Sequence, residues 1–90
     1  MDREYYLAVF DSKNHAIYVH QYLKRMGAGG YELVSTPCKI KSGCSYSIKF
    51  NRPEDHVEMK NVAASINKKI AGFYLIKYSY GRRMIEKIEF

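Results

Sequence analysis

Both cysteines of the chain fall in one short stretch, "STPCKIKSGCS", from Ser35 to Ser45. A thiol acts as a nucleophile only as its thiolate. Its unperturbed pKa of about 8.5 falls when cations or backbone amides surround the sulfur. Cys44 has that setting in sequence. Gly43 before it reaches loop conformations closed to other residues and lets amides approach, while Lys39, Lys41 and Lys49 supply positive charge. The competing reading makes Cys44 a small apolar residue at the start of a strand, and on composition alone this is the commoner outcome. Cys38 precedes Cys44 across the loop. Residues facing each other in tightly paired strands sit about 5.5 Å apart at Cα, a disulfide separation, so the two could cycle as a redox pair or as nucleophile and resolving thiol. That pair ranks below a single working cysteine.

Other chemistries find less support. His15 and His20 are five positions apart, about 140° around a helix, and His56 belongs to another element, so no metal site is expected. "GAGG" at Gly27 to Gly30 has no following Lys-Ser/Thr and comes after a helix, which makes it a helix stop and turn and not a phosphate loop. No Gly-x-Ser-x-Gly nucleophile turn occurs.

These residues need a scaffold, and 90 residues supply one domain, with residues 1–80 as its core and 81–90 as a C-terminal extension. The net charge of +6 makes anionic partners plausible, but the lysines and arginines are dispersed, as on a generally cationic soluble surface. No apolar run is long enough to span a membrane, and "MDREYY" lacks the layout of an export signal, so a cytoplasmic protein with reduced thiols is expected.

The periodicity changes several times along the chain. "EYYLAVF", Glu4 to Phe10, reads as a strand with Tyr6, Ala8 and Phe10 on one face and Tyr5, Leu7 and Val9 on the other. Ala16, Val19, Leu23 and Met26 then recur at helical steps, with Asp11 or Ser12 as cap and Gly27 as stop. "YELVS" is a second strand ending before Pro37, and Tyr46, Ile48 and Phe50 alternate with polar residues in a third, so the cysteine-bearing loop joins a hairpin. A second helix opens at Pro53-Glu54-Asp55, carries Met59, Val62, Ala63, Ile66 and Ile70, and is expected to end at Gly72. Phe73 to Tyr80 forms a fourth strand, and the last residues can add an edge strand. The β-α-β-β-α-β order predicts an α+β, ferredoxin-like fold: a four-stranded antiparallel sheet, both helices on one face, the other face open.

The nine tyrosines give the open face a second possible use, stacking unpaired bases as RNA-recognition sheets do. "GCSYSIKF" recovers only Ile48 and Phe50 of the pattern expected on the third strand. The alternative to thiol chemistry is therefore a non-catalytic binding module, using this face for nucleic acid, a protein partner or self-association as a homodimer.

From Tyr5 to Phe50 the chain resembles the selenium/sulfur carrier protein-like family of small bacterial domains. The resemblance lies in "YYLAVF" with the following serine, "HAI" at His15 to Ile17, "LK" at Leu23-Lys24, and above all the Thr-Pro-x-x-Ile-x-Ser-x-Cys spacing from Thr36 to Cys44. Cys44 falls on the family's cysteine; Cys38 stands where arginine is usual, and Ser45 where glycine is usual. The resemblance implies a carrier that accepts sulfur or selenium on Cys44 as a persulfide or selenopersulfide, with no turnover or cofactor of its own. It implies a cysteine desulfurase-like donor and a selenium/sulfur acceptor protein. Lys39, Lys41, Ser42 and Gly43 would hold the transferred group, Ser12 and His15 would be supporting positions, and Cys38 would be an added resolving thiol or a neutral replacement.

Overall fold

The computed structural model describes residues 3–41 and 45–90. Its elements are β1 (Arg3–Phe10), α1 (Lys13–Arg25), β2 (Glu32–Ser35), β3 (Tyr46–Phe50), a 3-10 turn (Pro53–Asp55), α2 (His56–Ser65), β4 (Ile70–Ser79) and β5 (Arg82–Ile88). The strands form one antiparallel sheet in the order β2-β3-β1-β4-β5. The α+β class holds, but the expected four-stranded sheet is corrected to five strands. β5 pairs with β4 from Phe73↔Ile88 to Ser79↔Arg82, so most of the supposed extension belongs to the sheet.

The hairpin that adds β5 turns through Tyr80 and Gly81, with φ of 52° and 76°. Positive φ at both central positions matches the right-handed twist of the flanking strands. The usual signal is Asn-Gly or Asp-Gly. Here a tyrosine, 99% exposed, takes the first position.

Helix ends follow capping chemistry. The Ser12 side chain accepts from the Asn14 amide at 3.2 Å and caps α1. At the other end the Ala28 amide donates to the Leu23 carbonyl (3.0 Å) and the Gly27 amide to Lys24 (3.1 Å), with Gly27 at φ 75°, a Schellman cap. The same pattern ends α2 much earlier than Gly72: Lys68 donates to Ala63 (2.8 Å) and Asn67 to Ala64 (3.1 Å), with Asn67 at φ 58°. Asparagine tolerates the left-handed region because its short polar side chain bonds locally. Gly72 lies inside β4, paired with Val9, and the register slips beside it, where Phe10 pairs with Ile70.

Both helices pack on one face of the sheet. Ala16, Val19 and Leu23 of α1 and Met59, Val62 and Ala63 of α2 enclose Ala8, Phe10, Ile48, Phe50 and Phe73. Met26, expected to continue the stripe of α1, is 54% exposed because it lies beyond the last turn. The opposite face has a smaller core of its own, Leu7, Val9 and Ile76, fenced by partly buried Tyr5, Tyr74 and Tyr78 and by Ile40 from the β2–β3 loop. No helix among the described residues is long and apolar enough to cross a membrane.

Candidate functional site

The β2–β3 hairpin closes the base of the loop that carries the cysteines. Beyond the last pair, Ser35↔Tyr46, the Thr36 amide donates to the Ser45 carbonyl at 3.0 Å. The Thr36 and Ser47 hydroxyls bond at 2.6 Å, and both residues are buried. Polar side chains at this depth require a partner, and each supplies the other's. Removing one leaves a buried hydroxyl unpaired at about 1–3 kcal/mol, whereas replacing both with apolar groups of matched shape is nearly neutral. Thr36→Val and Ser47→Ala are each expected to destabilise by that amount, and the double variant by less than their sum. Urea titration of the four proteins checks it.

From Pro37 the chain turns back on itself, with the Ile40 and Lys41 amides donating to the Pro37 carbonyl at 2.9 and 3.2 Å. This fold of the loop drops Ile40 onto the Leu7–Val9–Ile76 cluster. The described part of the loop, Pro37 to Lys41, therefore lies against the sheet face away from the helices. Lys41 donates to the Asp11 carbonyl at 2.6 Å and lies 3.6 Å from its carboxylate, binding the loop to the junction of β1 and α1. That junction also contains the Ser12 cap. Lys41, a candidate anion ligand by sequence, is thus engaged in tethering.

Cys38 is exposed and lines a cavity of about 570 Å³ between loop and sheet, together with Lys39, Lys49, Arg83 and Tyr5. Lys49 reaches over the Tyr5 ring, 4.6 Å from its centroid, and lies 3.8 Å from the Glu32 carboxylate. Burial raises the Tyr5 phenol's pKa, helped by the neighbouring Tyr78 phenol and opposed by the charges of Arg83 and Arg3. Lys39 and Arg83 also border a neighbouring concavity of about 410 Å³ with Tyr74 and Lys87.

Of the residues singled out by sequence, the structure brings Cys38, Lys39 and Lys49 around one cavity and sends Lys41 to Asp11. Ser12 serves as a helix cap, and His15, half-buried, stands one turn into the same helix. Cys44, Gly43 and Ser42 lie outside the described residues. Ser45 is buried, and its hydroxyl has no partner among the described residues. Sequence reading missed Arg83 and Lys87. Their only local signal was a basic, alternating segment, and their position depends on β5 joining the sheet. Both third-strand aromatics face the helices: Phe50 is buried in the core and Tyr46, partly buried, packs against it.

Away from this face, the Tyr31 hydroxyl donates to Glu58 Oε1 at 2.7 Å and to the Asp55 carbonyl at 3.3 Å, joining the start of β2 to α2. Burial is the main cause of its strongly raised pKa, and the hydrogen bond to Glu58 and the charges of Asp55 and Glu58 add to it. Because the folded value lies above the unfolded one, this stabilisation is complete below the unfolded pKa of about 10 and is lost as pH rises from there through the folded value. Thermal melts from about pH 9 to about pH 11 are expected to show a fall in stability that Tyr31→Phe makes shallower.

The fold and loop define a small α+β domain that displays a cysteine-bearing hairpin loop on one sheet face. A model of the family described as Putative Se/S carrier protein-like matches residues 5–75, and the chain belongs to that family. The match extends beyond Phe50, where the recognisable motifs end, through α2 and into β4. No curated protein and no solved structure gives a match.

Proposed function

We propose that the protein is a sulfur or selenium carrier that holds the transferred atom on Cys44. The observation that carries this reading is the family match over residues 5–75, which spans the Thr36–Cys44 motif. The Thr36–Ser45 backbone bond and the Thr36–Ser47 hydroxyl pair close the base from which the motif-bearing segment leaves the sheet, which supports its presentation to partners from a fixed base.

In the loading step the Cys44 thiolate attacks the terminal sulfur of a donor persulfide. A new bond forms between Cys44 Sγ and that sulfur, the donor's S–S bond breaks, and the donor departs as a thiolate, while the proton on the terminal sulfur travels with it. Delivery is the reverse displacement by an acceptor nucleophile, with Cys44 as the leaving thiolate. Selenium would follow the same route as a selenopersulfide. A cysteine desulfurase-like enzyme is the class of donor, and the acceptor is a protein that uses the delivered atom. Cys38 offers a side path: its thiolate attacking Cys44 Sγ would form a disulfide and release hydrosulfide, and a cellular thiol would have to reduce that disulfide before the next cycle.

The test is intact-mass analysis after incubation with a cysteine desulfurase and cysteine. The expected result is a gain of one sulfur atom in the wild type, its retention in Cys38→Ser and its loss in Cys44→Ser. A wild-type protein that gains no sulfur, or an adduct that persists in Cys44→Ser, overturns the proposal.

A further inference from the structure

Strand registers place the side chains of the open face in transverse rows. One row runs Lys49–Leu7–Tyr74–Lys87 across β3, β1, β4 and β5, and another runs Arg3–Tyr78–Arg83 across β1, β4 and β5. In the second row Tyr78 lies directly between cations, and in the first Tyr74 adjoins Lys87, with Leu7 separating it from Lys49. Lys39, from the β2–β3 loop, borders both concavities of this face together with Arg83. Among the described strand residues facing this side the single acid is Glu32, on the edge strand β2, where it meets Lys49. Five of the chain's fifteen lysines and arginines, Arg3, Lys39, Lys49, Arg83 and Lys87, thus share this face with that one acid.

We infer that this face binds a single-stranded polynucleotide, with phosphates on the cations and unpaired bases against Tyr74 and Tyr78. An acidic polypeptide could use the cations but has nothing that matches the tyrosines between them. Base-on-aromatic stacking is the interaction that uses both. A duplex would present phosphates and keep its base faces hidden. From Lys49 to Lys87 is three strand spacings, about 14 Å, a width suited to the two or three bases an open sheet of this kind stacks. The aromatic placement differs from that of RNA-recognition sheets, since β3 contributes Lys49 and Ser47 to this face and the rings come from β4. The inference uses neither cysteine, so it stands or falls separately from the carrier function.

The test is fluorescence anisotropy of a labelled short oligouridylate, titrated with the full chain at several salt concentrations. Saturable binding is expected, with log K falling against log salt at a slope of about −3, for about four phosphates neutralised at −0.7 each. Arg83→Gln with Lys87→Gln, both exposed positions, should make that slope shallower by about 1.4. Tyr74→Leu should weaken binding about tenfold at unchanged slope, and Tyr74→Phe should restore it. Lys60→Gln with Lys68→Gln, on the helix side, should change little. Circular dichroism melts establish that each variant is folded, and the charge variants decide the matter if Tyr74→Leu is not. Absence of binding at low salt overturns the inference. So does equal loss in the helix-side variants, duplex binding as tight as single-strand binding, or a folded Tyr74→Leu that binds like wild type.

Discussion

Phe50→Ala is expected to cost about 3–5 kcal/mol, the range for emptying a buried phenylalanine site. Phe50 has no exposed surface, and its ring lies 5.5 Å from that of Tyr6, 6.1 Å from Phe73 and 6.3 Å from Tyr31. The aromatic contacts add to the transfer and cavity contributions. Collapse into the vacated space is restricted because these rings belong to β1, β2 and β4 or flank them, and each is held by its own strand pairing or hydrogen bonds. Phe90, which packs on Phe50, Phe73 and the His56 ring, closes the same cluster from the C-terminal side. For a domain of this size the loss corresponds to a fall in Tm on the order of 12–40 °C. Differential scanning calorimetry checks it, and Phe50→Leu, which keeps more of the volume, should fall between wild type and Phe50→Ala.

Ile76→Ala should destabilise by about 2–5 kcal/mol, with a result in the lower half of that range expected. Ile76 has no exposed surface although no helix covers it, because Tyr5, Tyr74, Tyr78, Ile85 and Ile40 surround its cluster. Half-exposed rings and a loop can shift inward more readily than a packed helix layer, which limits the cavity left behind. The change should also loosen the seat of Ile40 and with it the loop carrying Cys38. Urea unfolding measures the stability. Faster alkylation of Cys38 in Ile76→Ala, compared with a matched large-to-small change on the helix face such as Val62→Ala, tests the coupling between this cluster and the loop.

Local patterns were enough to read the elements. Ala16, Val19 and Leu23 recur at helical spacing and all three are buried, and Ser12 caps the helix as its type and position predict. The alternation of Tyr46, Ile48 and Phe50 is one strand face, and the Thr36–Cys44 spacing carries the family resemblance that the match over residues 5–75 supports. Local patterns failed where a position had two readings. Gly72 resembled a helix stop because glycine is the usual choice, yet Asn67 takes the left-handed position and releases the chain early enough for β4 to begin at Ile70. Tyr80-Gly81 is an unusual pair for its turn, so the signal for β5 was weak.

The sequence by itself therefore determined the order of helices and strands, the faces each strand possesses, and the family to which the chain belongs. The tertiary structure alone decided which sheet face the helices cover. Alternation defines two faces, and only the packing of α1 and α2 chooses between them, burying Phe50, drawing Tyr46 against the same core and leaving Tyr5, Tyr74 and Tyr78 on the other side. It also decided the fate of the charges. Lys41 is held at Asp11, while Lys39, Lys49 and Arg83, remote in sequence, converge because β3 and β5 flank the β1–β4 pair and the loop folds over them. Periodicity reports each residue's neighbours along the chain, and convergence depends on strand order and register, which couple residues that local patterns never compare.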